Sequence, residues 1–114
     1  MKLPYRKKAF VPPGKIDNYL LSLSHPGGKN KAVIYRRIGF NDVNRNLFER
    51  ALLVIAHTKS VTGVRDIISS GIYYGKSYEI IGIIRGPRGN RRVKTVWKIL
   101  SNTRKPSLVT VSPM

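Results

Sequence analysis

The run His25-Pro26-Gly27-Gly28-Lys29-Asn30-Lys31 brings together one of only two histidines in the chain, two glycines and two lysines. Each residue type suits the handling of a phosphate. An imidazole titrates near neutrality and can give or take a proton. Glycines at a helix start leave backbone N–H groups open, where an anion is favoured. A lysine adjacent to them neutralises charge. The same residues also fit a plain Pro/Gly turn carrying a solvated lysine pair.

A second constellation lies on an alternating stretch, where Val93, Thr95, Trp97 and Ile99 share one face by the period of two. Thr95 and Trp97 would put a hydroxyl and an aromatic surface on the floor of a cleft, with the indole as a stacking platform for a base. Burial of the tryptophan in a core is the alternative. Tyr73, Tyr74 and Tyr78 near Lys76 would line a nucleic-acid channel or simply pack. His57, near a helix end, reads as structural.

The 114 residues carry 22 Lys+Arg against 5 Asp+Glu, a net charge of +17. Such an excess repels itself and points to a polyanionic partner, nucleic acid before an anionic membrane. With 41% hydrophobic residues the chain can still build a modest core. It has no cysteine, which excludes disulfides, a thiol nucleophile and cysteine-ligated zinc. The five acids, Asp17, Asp42, Glu49, Asp66 and Glu79, are dispersed along the sequence, so a two-metal nuclease is disfavoured and no cofactor is expected. No apolar run reaches transmembrane length, and nothing at the start resembles a signal peptide.

The positioning elements follow from punctuation and periodicity. Residues 1–13 are basic and proline-rich and read as an arm, leaving 14–114 as a single domain. A short amphipathic helix is expected over Lys15–Ser24, with Ile16, Tyr19, Leu20 and Leu23 at helical spacing. A second is expected over Lys29–Ile38, with Gly39 past its end. A third follows the Asn41–Asn44 cap candidates and runs to about His57, with Leu47, Ala51, Leu52, Val54 and Ile55 inward. Strands are expected at Val61–Ile68, Tyr78–Arg85, Arg91–Leu100 and Ser107–Ser112, with Gly86-Pro87-Arg88-Gly89 as a hairpin loop. Helices first and strands after predict an α+β fold, the helices packed on a four-stranded antiparallel sheet.

Residues 85–105 hold eight Lys/Arg and no acid: Arg85, Arg88, Arg91, Arg92, Lys94, Lys98, Arg104 and Lys105. That hairpin is the expected footprint for a phosphate backbone, joined by Lys29, Lys76 and Tyr78. A basic edge that guards the sheet against aggregation would need fewer charges.

The run His25-Pro26-x-Gly28-x-x-Lys31-Ala32 resembles a motif of small bacterial toxin-type RNase domains, found at the C-termini of contact-dependent inhibition proteins and in toxin–antitoxin pairs. The likeness continues through Gly39-Phe40, Tyr74-Gly75-Lys76-Ser77-Tyr78, Gly86-Pro87-Arg88-Gly89, Val93-Lys94-Thr95-Val96-Trp97 and Leu108-Val109-Thr110. Gly27 departs from it, standing where an apolar residue is usual, and so does the single aromatic of Ile34-Tyr35. The family is similar to the barnase, EndoU, colicin D and RelE group.

The resemblance implies a metal-independent endoribonuclease acting in the cytoplasm on tRNA or mRNA and leaving a 2′,3′-cyclic phosphate. It implies His25 as general acid or base, Lys31 stabilising the phosphorane, Thr95 hydrogen-bonding a phosphate oxygen, Trp97 walling the cleft, and Thr110 contributing from the last strand. An acidic antitoxin or immunity protein is the expected partner. A non-catalytic RNA- or DNA-binding protein needs the same charge but no positioned histidine. A structural phage protein would hold its basic arm against another subunit.

Overall fold

The computed structural model describes residues 1–27 and 29–114; Gly28, whose amide belongs to the expected phosphate cluster, lies outside the described residues. Two helices, α1 (Lys29–Arg37) and α2 (Arg45–Thr58), precede four strands, β1 (Val61–Ser69), β2 (Ile72–Gly86), β3 (Gly89–Leu100) and β4 (Ser107–Pro113). The strands form one antiparallel meander in the order β1-β2-β3-β4, and the helices pack on one face of it. The α+β expectation holds.

Local chemistry explains the punctuation. Helix α1 ends in a Schellman arrangement: the Gly39 N–H donates to Arg36 O at 3.0 Å and the Phe40 N–H to Tyr35 O at 3.2 Å. Gly39 carries the positive φ of 107° that this cap requires. The β1–β2 turn is Ser70-Gly71, with φ of 50° and 76°, the mirror-image turn that suits strand twist. At the β2–β3 turn, Gly86 lies so close to the Ile38 carbonyl that a Cβ would sit 2.2 Å from its oxygen. The Arg88 N–H donates to that same carbonyl at 2.9 Å, fastening the hairpin tip to the end of α1.

The core lies between the helices and the inward face of the sheet. Tyr35, Phe40, Phe48, Leu52, Ile55, Ile80, Ile84, Val93, Trp97, Leu108 and Val111 form its centre. Phe40 and Phe48 stack at 4.6 Å, and Tyr35 meets Phe48 edge-on at 5.1 Å.

Residues 1–13, expected as a basic arm, pack onto the rest of the chain. Leu3 and Val11 are buried in the core, the Met1 carbonyl accepts the Val61 N–H at 2.7 Å, and Phe10 exchanges backbone bonds with Pro106 and Leu108. The segment therefore straps both edges of the sheet, and the Lys2 ammonium caps the Thr58 carbonyl at the end of α2.

The helix expected over 15–24 is instead a single wide turn, Ile16–Leu20, closed by the Leu21 N–H donating to Ile16 O at 2.8 Å. The i→i+5 spacing turns Ile16, Leu20 and Leu21 into the core together and leaves Leu23 outside.

Helix α2 buries Phe48, Leu52, Ile55 and Ala56, so Leu47 and Val54 fall on its exposed flank. The large Phe48 sets the phase.

Candidate nucleic-acid interface

Lys31 leaves the first turn of α1 and reaches the edge strand β4. Its Nζ donates to Thr110 Oγ1 at 3.1 Å and to Ser112 Oγ at 3.3 Å. Thr110 and Ser112 pair with Val96 and Lys94, so all four belong to the sheet face turned away from the core. Val111, between the two hydroxyls, points inward, and its carbonyl accepts the Tyr35 hydroxyl at 2.8 Å. The ammonium is thus seated where the helical layer meets the open face.

Tyr19 ties this seat to His25. Its ring lies 5.7 Å from Lys31 Nζ and 5.6 Å from Lys15 Nζ, and it meets the His25 ring edge-on at 4.7 Å. Lys15 is held by donating to Val109 O at 3.0 Å. His25 Nδ1 accepts the Gly27 N–H at 3.0 Å, so the neutral ring carries its proton on Nε2. Among the described residues, Nε2 has no hydrogen-bond partner. His25 and Lys31 therefore flank one phenol ring, one able to exchange a proton and the other holding charge.

Tyr35 lies beneath the cluster. Burial, reinforced by the neighbouring Tyr19 phenol, holds its hydroxyl far above the ordinary range, while Arg91 acts in the lowering direction. Arg91 Nε is buried without a hydrogen-bond partner among the described residues. By register Arg91 pairs with Ile84 on the covered side of the sheet, not on the open face.

The rest of the open face is basic. Arg85, Arg92, Lys94 and Lys98 lie on it by register, and Arg65, opposite Ser77, joins them from β1. Its acid is Glu79, which accepts Thr62 Oγ1 at 3.0 Å and stands 3.9 Å from Lys94 Nζ. Thr62, Arg65, Ser77, Glu79 and Lys94 line a shallow cavity of about 420 Å³ there.

The sequence-derived site residues divide sharply. Lys31 bonds to Thr110, and the Tyr19 ring contacts both Lys31 and His25. Thr95 and Trp97 do not join them: both are 0% exposed on the core side of β3. Their polar atoms are spent on each other, Trp97 Nε1 donating to Thr95 Oγ1 at 2.9 Å and Thr95 Oγ1 to Ile80 O at 2.8 Å. The cleft-floor expectation for this pair is corrected to a buried polar chain.

Tyr78 is likewise buried, facing the core rather than a channel. Lys76 is engaged by Asp66 at 2.7 Å, and that hydrogen bond raises its pKa. Lys29 and Arg88 are exposed, at the start of α1 and the β2–β3 tip. Sequence reasoning missed Tyr19, Lys15, Ser112 and Arg65. The spacing Thr110-x-Ser112 was a usable signal, since period two puts both hydroxyls on one face. Among the described residues, no three His, Asp or Glu side chains gather as metal ligands would.

Fold and site together define a small α+β domain whose antiparallel sheet is covered on one face and basic on the other. The chain belongs to the family described as a domain of unknown function, DUF6883, whose model matches residues 2–114. No curated protein and no solved structure matches it.

Proposed function

We propose that the domain binds RNA across the open sheet face and cleaves it at the His25–Lys31 cluster without a metal ion. The observation that carries this reading is the seat of Lys31, held by two hydroxyls at the rim of the open face and flanking, with His25, the ring of Tyr19. Lys31 and the His25 imidazole, whose Nε2 is unengaged among the described residues, both contact the Tyr19 ring. In this mechanism the substrate's 2′-OH attacks its own phosphorus, and His25 acts as the proton carrier. Lys31 stabilises charge on the non-bridging oxygens, an electrostatic contribution that grows as the phosphorane forms. The bond to the 5′-oxygen breaks, that oxygen takes a proton, and a 2′,3′-cyclic phosphate remains. Arg65, Arg92, Lys94 and Lys98 would follow the flanking backbone.

Thr95 and Trp97 have no part in this chemistry; they hold β3 against β2 beneath the site. A binding-only reading rests on a different observation. The basic residues of the open face extend across to Arg65 on β1, while Lys31 is seated on β4, at the opposite edge. Incubating the protein with total RNA in EDTA separates the two readings. Fragments ending in cyclic phosphate support cleavage, and intact RNA that co-migrates with the protein supports binding alone.

A further inference from the structure

Beyond this reading, and at the opposite edge of the sheet, β2 outruns its neighbour. Its ladder with β1 ends at the Val61–Ile80 pair, yet β2 continues to Gly86, paired with β3 alone. The Glu79 carbonyl points to the β1 side, where it accepts Thr62 Oγ1 at 3.1 Å. By the period of two, the backbone groups of Ile83 and Arg85 face that same side, past the end of the β1 ladder. This is a free strand edge, which another chain can extend.

The edge is flanked by apolar surface. Ile83 is 47% exposed, and Val54 and Leu47 on α2 are 56% and 37% exposed. A groove of about 400 Å³ runs between the second half of α2 and β2, and a second of about 340 Å³ continues it towards Leu47. The cations on their walls are Arg50, Lys59, Arg85 and Arg92, and among the described residues no carboxylate lines either groove.

We propose that this edge is the docking site of an acidic protein segment, which adds to β2 as a further strand, lays apolar side chains against Val54 and Leu47 on the helix side and turns acidic ones towards Arg85 and Arg92 on the open side. Charge complementarity selects the occupant. A second copy of this chain would bring +17 against +17 and set Arg85 and Arg92 against their equivalents. RNA neutralises the cations but neither continues a backbone ladder nor needs an apolar wall. A strand with acidic residues on one face and apolar residues on the other satisfies all three features. The proposal does not depend on RNA cleavage, because none of its apolar contacts belongs to the Lys31 cluster.

The test uses the full chain and a ten-residue peptide alternating glutamate with valine. Polyglutamate of equal charge and a single-stranded RNA oligomer serve as comparison ligands, all at about 0.15 M salt. The expected result is binding of the alternating peptide about tenfold tighter than polyglutamate, with slowed hydrogen exchange at the amides of Ile83 and Arg85. Val54→Ser and Leu47→Ser should each weaken it by about tenfold. Equal binding of the peptide and polyglutamate would overturn the proposal. So would protection of those amides by RNA, or a free protein that dimerises through them.

Discussion

Lys31 and Thr110 stand 79 positions apart in the chain, yet the lysine ammonium rests 3.1 Å from the threonine hydroxyl. Ser112, one period further along β4, supplies the second acceptor at 3.3 Å. Two hydroxyls hold the ammonium without neutralising it, so its full charge remains available to an anion. Thr110→Val combined with Ser112→Ala should therefore leave RNA affinity within about twofold but lower the cleavage rate by about tenfold or more, through misplacement of the charge. Single-turnover kinetics at saturating protein measure the two effects separately. Lys31→Ala should cost more than the double variant, and Lys31→Arg should recover part of the rate by keeping the charge.

Thr95 and Trp97 answer to stability. Trp97→Ala removes the largest core side chain and should cost about 3–5 kcal/mol in urea unfolding. Thr95→Val leaves the indole N–H without its acceptor and should cost about 1–3 kcal/mol. A loss of cleavage in Thr95→Val with unchanged unfolding would return the hydroxyl to the reaction.

What the sequence made legible follows from how local each signal is. The meander could be read because alternation, turn residues and Gly-Pro-Arg-Gly act within a few positions. Gly39 could be read as a helix terminator for the same reason. The phase of α2 could not, because Leu47 and Val54 are as apolar as Leu52 and Ile55, and only packing of Phe48 against Phe40 and Tyr35 decides between faces. Basic character hid the role of residues 1–13, whose Leu3 and Val11 are the buried anchors. In the site, residue types pointed to His25 and Lys31. Tyr19, which joins them, required knowledge that the chain makes a wide turn at 16–20 rather than a regular helix.

Tyr35 gives a pH prediction. Its phenol is raised in the folded protein by burial, whereas in the unfolded chain it ionises at about pH 10. Above that pH the unfolded state releases a proton that the folded state retains, so stability is complete below about pH 10 and falls as pH rises beyond it. Tyr35→Phe should flatten that alkaline decline, which urea unfolding between about pH 9 and 11 would register. An unchanged slope would contradict the assignment.

Binding across the open face should be strongly salt-dependent. Removing Arg65 or Lys98 should each weaken RNA affinity and reduce the slope of log K against log salt by about 0.7–1. The same change at His57, outside that face, should leave the slope alone. A salt slope near zero for the unaltered protein would remove the electrostatic basis of the reading.

The proposed cleavage turns on proton transfer by His25. The direct measurement is the cleavage rate of His25→Ala in EDTA, beside His57→Ala, with RNA affinity and melting temperature recorded for both. The expected result is a loss of about 10²–10⁴-fold for His25→Ala at nearly unchanged affinity, and near-normal cleavage for His57→Ala. Retained cleavage in His25→Ala, or a loss confined to His57→Ala, would contradict it.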